Sequence, residues 1–258
     1  MARERTRPKL VTVASVEEKS ESPQSANRRQ ARNLFETAYE KIESLIINCE
    51  LRPGRRLSIQ ELQNVSGFSR TPVHQAVSRL ADDTLIIVRP RLGLQIAPID
   101  LARERTLLRL RGDLERFVVQ LATERSQSSH RNQLLYMSRL LRERRASLTV
   151  DTFNVLDRHI DKLILSAAGE PFLEHTLRPL HTIFRRIGWI HHTQLLPSAG
   201  LDTTIDCHLA ILEAVANRHE DAALRGTNEL IEFVGSMFDA IEREVDPGLL
   251  DASLTLSV

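Results

Sequence analysis

The stretch FSRTPVHQAVSRL, residues 68–80, combines the start of a helix with a regular apolar pattern. Its apolar residues recur at positions 73, 76, 77 and 80, a spacing that places side chains on one face of an α-helix. Pro72 is compatible with the first turn, because the amides there have no intrahelical acceptor to lose. The stretch therefore predicts a helix with one buried face and a polar face turned toward a partner.

The flanking residues predict further elements in a definite order. An apolar stripe from Leu34 to Ile46 predicts a helix, and Ser58-Ile59-Gln60-Glu61 predicts a second helix that starts with a capping box and ends at Gly67. After Leu80, the β-branched run 85–88, a turn at 90–93 and the run 94–97 predict a hairpin. This order of helix, capped helix, glycine turn, helix and hairpin is typical of a winged helix-turn-helix.

The sequence after Asp100 is almost wholly helical in pattern. We therefore predict a mainly α protein, in which a winged helix-turn-helix domain is followed by an all-α helical bundle of six or seven helices. The stripes that support the bundle run through residues 107–121, 130–145, 152–168, 171–190, 203–217 and 221–243.

Four segments follow from these patterns. Residues 1–32 are rich in Arg, Ser, Glu and Gln and poor in apolar periodicity, so we expect a disordered arm, whose arginines can reach phosphate or remain solvated. Residues 33–99 form the predicted winged domain, and residues 100–245 form the predicted helical domain. Residues 246–258 are expected to be a flexible tail.

Composition limits the class of protein further. The chain has 258 residues, of which 41% are hydrophobic and 27% charged, and it carries only two cysteines, without a CxxC motif. These features indicate a globular protein with neither a disulfide framework nor a zinc finger. No apolar run reaches the ~18 residues of a membrane span, so we expect a cytoplasmic protein with no membrane partner.

Charge is divided unevenly along the chain. Residues 1–99 contain 16 Lys and Arg against 11 Asp and Glu, an excess of +5, whereas residues 100–258 contain 19 against 23, an excess of −4. A basic front half fits nucleic-acid binding, although an excess of this size also arises by chance.

Both halves of the sequence resemble parts of a known family. From YEKIESLIINCELRPG through SRTPV to RPRLGLQIAPI, residues 39–99 resemble the winged-helix domain of the GntR family of bacterial transcription regulators. The bundle, through LRGDLERFVVQLATERS, VLDRHIDKLILSAAGEP and HLAILEAVANRHEDAA, resembles the FCD ligand-binding domain of the FadR subfamily. The resemblance implies a non-enzymatic homodimer that binds a palindromic DNA operator. It also implies a small metabolite in the helical domain that alters DNA affinity.

The resemblance carries DNA-contacting roles to several residues. Arg70 matches a family arginine at the start of the third helix, where a guanidinium can pair bidentately with guanine. Thr71 is placed for a phosphate contact or for helix capping. Further candidates are Arg79, which can contact phosphate or stay solvated, and in the wing Arg89, Arg91 and Gly93, whose glycine permits close approach to DNA.

His74 departs from the family pattern. The family commonly has arginine at this position, in the text SRTPVREAL, where this chain has SRTPVHQAV. A neutral imidazole donates one hydrogen bond and has no bidentate fork, so the contact should be weaker. We expect a changed operator preference opposite His74, unless this side chain is a spectator on the exposed face.

The ligand site departs from the family as well. In metal-binding FCD domains an Asp, a His four residues later and two further His project into the bundle core, since residues i and i+4 share a helix face. Asp157 and His208 match this set, but Asp161 and Leu230 stand where histidines are expected. Three alternatives stay open: a divalent ion such as Mn²⁺ or Mg²⁺ on Asp157, Asp161 and His208, a metal-free pocket for an organic ligand, or no ligand.

Arg111 bears on the nature of the ligand. It matches a family arginine near the pocket and can pair with a carboxylate, which favours an organic-acid effector. The simpler alternative is an intrahelical ion pair with Glu115, four residues on.

Two functions of other classes remain as alternatives. One is a helical metal-dependent hydrolase in which Asp157, Asp161 and His208 activate water, and the other is a protein-interaction module that uses the face Arg70–Leu80. The sequence has no glycine-rich phosphate loop and no nucleophile elbow, which favours the DNA-binding regulator.

Overall fold

A computed structural model describes residues 23–195 and 200–254, with side chains from residue 33 onward. Its N-terminal part contains three helices and a small sheet whose antiparallel strands lie in the order β1-β3-β2. The winged helix-turn-helix is confirmed, with the addition of β1, whose two residues are too few to show a period. In chain order the elements are α1 (Pro23–Ile47), β1 (Arg56–Leu57), α2 (Ile59–Ser66), α3 (Arg70–Asp82), β2 (Ile86–Arg89) and β3 (Gly93–Ile96).

Local signals in the sequence explain where α2 begins and ends. The amide of Glu61 donates to Ser58 Oγ at 3.1 Å, and the amide of Ser58 donates to Glu61 Oε2 at 2.6 Å, so the predicted capping box is confirmed. Gly67 ends the helix in the left-handed conformation, with φ of 78°. The chain can then turn sharply into α3, whose apolar face packs against α1.

The C-terminal part is the predicted helical bundle. Helix α4 packs against α6 and α9, and α5 packs against α8. Helix α7 continues into one π-helical turn at His191–Leu195. The helices are α4 (Leu101–Arg125), α5 (Ser128–Arg144), α6 (Val150–Ala168), α7 (Pro171–Ile190), α8 (Asp202–Ala216), α9 (Glu220–Glu244) and the short α10 (Pro247–Leu250), with 3₁₀ turns at Arg145–Ser147 and Ala252–Leu254.

Helix α7 joins the two parts through both apolar and polar contacts. Its Ile183 is buried among the apolar residues of α1, α3 and the sheet rather than in the bundle core. Thr182, next along the helix, donates to Glu43 Oε1 of α1 at 2.6 Å. Arg186 donates to the carbonyl oxygen of Ala97, just after β3, at 2.9 Å. The winged domain therefore shares part of its core with the bundle.

The two ends of the chain differ from the expectation. Helix α1 begins at Pro23, so residues 23–32 are helical rather than part of a disordered arm, because their Gln, Ala and Arg residues are good helix formers that extend α1. Residues 1–22 lie outside the described residues. No helix in the part of the chain that the structure describes is long and apolar enough to span a membrane.

The predicted flexible tail is corrected over residues 246–254. Asp246 caps α10 by accepting from the amide of Gly248 at 2.8 Å, and Leu249 and Leu250 pack against the bundle core. The segment then returns to the winged domain, where the amide of Ala252 donates to the carbonyl oxygen of Pro53 at 2.8 Å. Residues 255–258 lie outside the described residues.

Candidate functional site

One face of α3 is exposed and polar. Arg70 and His74 lie about 40° apart around the helix, so both project from this face. Within the described ranges, neither side chain has a hydrogen-bond partner, and Ser69, at the helix start, makes no side-chain capping bond. Arg70, Thr71, His74, Gln75 and Ser78 are all exposed. Their polar groups are therefore available to an external partner.

Arg79 lies on a different side of α3, about 180° from Arg70. Its guanidinium is 3.1 Å from Glu36 Oε1 and lies 4.6 Å from the ring centroid of Tyr39, both on α1. These contacts hold α3 against α1. They favour a structural role for Arg79 over both expected alternatives, a phosphate contact and a solvated side chain.

The wing brings two more arginines to the surface. Arg91 is exposed at the turn between β2 and β3, and Arg89, also exposed, donates to Gln95 Oε1 at 3.3 Å. Gly93 has a structural reason of its own, because a Cβ atom there would lie 2.9 Å from the carbonyl oxygen of Leu57 on β1. The glycine therefore allows the sheet to close, whether or not the wing approaches DNA.

A cavity of about 60 Å³ lies between α4, α6, α7, α8 and α9 of the bundle. One part of its lining is apolar and includes Phe153, Phe184, Leu230, Phe233, Val234 and Met237. Another part is polar and includes Arg111, Asp157, His181, Arg185, His192 and His208. Such a mixture of apolar walls and a few convergent polar groups is typical of small-molecule sites.

Seven charged or titratable side chains form a continuous network beside this cavity. Each ion pair shares a side chain with the next. Five of the six N–O distances lie between 2.6 and 3.1 Å, and Arg185 and Asp161 are also in direct contact. The order of the network is Arg111, Glu115, His181, Asp161, Arg185, Asp157 and His208.

The network perturbs the pKa values of its members. Burial alone would lower the pKa of His181, but the carboxylates of Asp161 and Glu115 outweigh it and raise the pKa to about 9. Burial alone would raise the pKa of Glu115, but His181 and Arg111 outweigh it and lower the pKa to about 2. The pKa of His208 is raised in the same way by Asp157, against the effect of burial. Opposite charges thus hold the network in its ionised form.

The predicted ligand residues all lie at this centre. Arg111, Asp157, His208 and Leu230 line the cavity, and Asp161 contacts two of its lining residues, His181 and Arg185. Arg111 also forms the intrahelical ion pair with Glu115, at 3.1 Å. It therefore lines the cavity and pairs with Glu115 at the same time.

His181 and Arg185 are site residues that the sequence reasoning missed. They lie on α7, whereas Asp157 and Asp161 lie on α6. Nothing in the local sequence pattern links the residues of one helix to those of the other. The available signal was the i, i+4 spacing of His181 and Arg185 on α7, which matches that of the two aspartates on α6.

The contacts of Asp157 argue against the metal alternative. The two oxygens of Asp157 accept from Arg185 Nε at 2.6 Å and from His208 Nε2 at 2.8 Å. Within the described residues no group of three or more His, Cys, Asp or Glu side chains is arranged to hold a metal ion. The donor set of Asp157, Asp161 and His208 therefore does not fit a divalent cation.

A second polar cluster lies between the winged domain and the bundle. Glu43 of α1, buried, pairs with Arg158 of α6 at 2.8 Å. The Tyr39 hydroxyl donates to Asp83 at the end of α3 at 3.0 Å, and Arg178 of α7 lies 3.4 Å from the same oxygen. Helix α7 thus contacts the cavity on one side and the winged domain on another.

A winged helix-turn-helix with an exposed polar third helix, joined to a helical domain with a polar cavity, fits one class of protein, the DNA-binding transcription regulators. Comparison with protein families agrees. The model of the bacterial regulatory proteins of the gntR family matches residues 34–96, and the FCD domain model matches residues 106–233. The chain belongs to the GntR family, with an FCD domain as its C-terminal part.

Curated relatives are regulators as well. The chain is similar to the HTH-type transcriptional repressor RspR of Escherichia coli K12, 26% identical over 209 residues, which cover 80% of this chain and 89% of RspR. It is also similar to the HTH-type transcriptional regulator YdhC of Bacillus subtilis, 23% identical over 192 residues, 72% of this chain and 82% of YdhC. The chain is thus a transcription regulator and not an enzyme.

Solved structures share the fold. McbR/YncC of E. coli superposes with a TM-score of 0.70 at 18% identity, covering 81% of this chain and 98% of that protein. A GntR regulator from Rhodococcus sp. RHA1 superposes with a TM-score of 0.60, also at 18% identity, covering 84% and 98%. The order of winged domain and helical bundle is therefore common to all three.

Proposed function

We propose that this regulator binds a palindromic operator as a homodimer and that a small organic acid in the bundle cavity alters its DNA affinity. The observation that carries the proposal is the exposed face of α3, where Arg70 and His74 have no partner within the described residues. In this proposal α3 enters the major groove, Arg70 pairs with guanine, and Arg91 at the wing tip reaches the minor groove.

A second copy is needed because one α3 can read only one half-site. Helix α4 offers a face for that copy, since Leu110 and Phe117 are 47% and 51% exposed and lie on the same side of the helix. Light scattering should give the mass of two chains. The variant Phe117→Glu should have the mass of one chain and remain folded. A wild-type protein that binds DNA as a monomer would contradict the dimer.

The charge of the cavity network favours an anionic ligand. With both imidazoles protonated, four positive groups (Arg111, His181, Arg185, His208) face three carboxylates (Glu115, Asp157, Asp161), which leaves one positive charge in excess. Glu43, which also acts on Arg185, is paired with Arg158 at 2.8 Å, so this neighbouring pair adds no net charge. A buried excess charge is costly unless paired, so one carboxylate of a ligand would complete the network.

Helix α7 supplies a route from the cavity to DNA. His181 and Arg185 take part in the cavity network, whereas Thr182 and Arg178 of the same helix contact Glu43 and Asp83. Since Asp83 caps α3, a ligand that shifts α7 would shift the recognition helix too. Reciprocity then requires operator DNA to change the ligand affinity by the same factor.

DNA binding is tested by selecting an operator with the full chain and measuring anisotropy against salt. We expect affinity to fall steeply with added salt, and Arg70→Ala to weaken binding roughly ten- to a hundredfold, the value of one bidentate guanine contact. Arg139→Ala is a matched control, because Arg139 is exposed on α5 at the outside of the bundle. Equal losses in the two variants, or no DNA binding at low salt, would overturn the proposal.

The ligand is tested by native mass spectrometry of the purified protein and by melting with small organic acids. Each acid is paired with its neutral amide at equal ionic strength. We expect an acid but not its amide to raise Tm. The underlying gain in the free energy of unfolding grows with ligand concentration and reaches about 2.7 kcal/mol at a hundred times Kd. Arg111→Gln should remove the shift, and an uncharged co-purifying ligand would contradict the proposal.

A further inference from the structure

The centre of the bundle already contains a cation where metal-binding FCD domains would hold an ion. Arg185 projects from α7 between the two aspartates of α6, with its Nε 2.6 Å from Asp157 Oδ2 and its terminal nitrogen in contact with Asp161 Oδ2. Its side chain is only 6% exposed. A divalent ion would have to displace this guanidinium to reach the same oxygens.

The two imidazoles of the network, His208 and His181, have no lone pair to offer. His208 Nδ1 lies 2.6 Å from the carbonyl oxygen of Thr204, and its Nε2 lies 2.8 Å from Asp157 Oδ1. Both neighbours are acceptors only, so both ring nitrogens must donate, and the ring is an imidazolium. His181 is held in the same way, between Glu115 Oε1 at 2.7 Å and Asp161 Oδ2 at 3.0 Å.

The substitutions at the expected ligand positions agree with these contacts. Asp161 replaces an imidazole with a carboxylate, which adds a negative charge that Arg185 and His181 then neutralise. Leu230 replaces another with an apolar side chain that lines the cavity. The carboxylate at Asp161 and the guanidinium of Arg185 therefore fit each other, and neither leaves an open position for an ion.

We propose that Arg185 is the resident cation of this centre, replacing a metal ion, so that the regulator binds its anionic effector directly and without metal. Arg185 fixes the two aspartates of α6 against α7, the helix that also contacts the winged domain. The inference concerns how the proposed ligand site is built, and it rests on that site rather than on DNA binding.

The wild-type protein provides the first test. Elemental analysis of natively purified chain should find only substoichiometric metal, and calorimetric titration with Zn²⁺ or Mn²⁺ alone should show no binding. Nitrogen-15 NMR of the histidines should show both ring nitrogens of His181 and His208 protonated, unchanged by EDTA or by added Zn²⁺. One equivalent of bound metal, or an unprotonated Nε2 that Zn²⁺ shifts, would overturn the inference.

Replacement of Arg185 provides the second test. In Arg185→Gln the two aspartates lose their cation and become oxygen ligands next to two imidazoles, a set suited to Mn²⁺ or Zn²⁺. We expect added Mn²⁺ to raise the Tm of this variant while leaving wild type and Arg185→Lys unchanged. A rise in the Tm of the wild type as well would count against the resident cation, as would a folded Arg185→Gln that ignores the metal.

If Arg185→Gln does not fold, the wild-type measurements decide the question by themselves. Operator binding in EDTA separates this inference from the proposed function. Loss of DNA binding after metal removal contradicts the resident cation alone. Absence of DNA binding under every condition contradicts the proposed function and leaves the metal measurements to be judged separately.

Discussion

At the scale of single residues, His74 has the most specific consequence. It lies with Arg70 on the exposed face of α3. At position 74 the family that this sequence resembles commonly has arginine. Selection of operators with wild type and with His74→Arg should return different preferred bases at one position in each half-site. The arginine variant should gain about 1–3 kcal/mol of preference for guanine there, the value of a bidentate pair. An unchanged preferred sequence would show that His74 is a spectator.

His181 contributes to the dependence of stability on pH. Because its pKa is raised from 6.5 to about 9 in the folded protein, its contribution is fully present below pH 6.5 and is lost as the pH rises through 9. Glu115 acts in the opposite direction, since its pKa is lowered to about 2 and its contribution is lost as the pH falls below 4.5. We expect Tm to decrease between pH 6.5 and pH 9.

The matched variant is His181→Gln, which keeps hydrogen-bonding capacity but cannot carry a charge. Its melting temperature should be lower than that of wild type at pH 6.5, and the difference should shrink by pH 9. Parallel profiles for the two proteins would show that another group causes the alkaline loss.

At the scale of elements, the helices and strands that could be predicted from the sequence are those with a local pattern. Helix α3 and the wing were predictable because their apolar positions repeat within a few residues and their ends carry capping and turn residues. Strand β1 was not, since two residues show no period. The cavity network was only half predictable, because Asp157 and Asp161 share one helix while Arg185 reaches them from another.

The segment 246–254 shows the same limit and leads to a stability prediction. Its residues look like a tail because the contacts that order it are with residues far away in sequence, namely the bundle core and the turn at Pro53-Gly54. A Cβ atom on Gly54 would lie 1.9 Å from Asp251 Oδ1 and 2.8 Å from the amide nitrogen of Ala252. Gly54→Ala should therefore displace the segment.

Gly67→Ala is a control with nearly the same backbone. The two glycines have φ of 76° and 78°, but a Cβ atom on Gly67 meets nothing within 4 Å. The left-handed conformation should cost each alanine variant about 1–2 kcal/mol, and Gly54→Ala should lose more in urea unfolding. Equal losses would mean that the C-terminal segment contributes little to stability.

At the scale of the whole molecule, the buried Ile183 makes the sequence boundary at residue 99 a poor place to cut. A fragment of residues 33–99 would leave the pocket of this side chain open, at a cost of about 1.5–3 kcal/mol, and would leave Glu43 without Thr182 and Arg158. Such a fragment should melt well below the intact protein or fail to fold.

The shared core also determines how the intact chain comes apart. Scanning calorimetry should record a single endotherm whose calorimetric and van't Hoff enthalpies agree, because neither half can lose its packing alone. Two separate endotherms would show that the halves melt independently. The DNA-reading half of such a regulator cannot be replaced by a simple gene fusion, because a foreign half would lack the apolar pocket that holds Ile183.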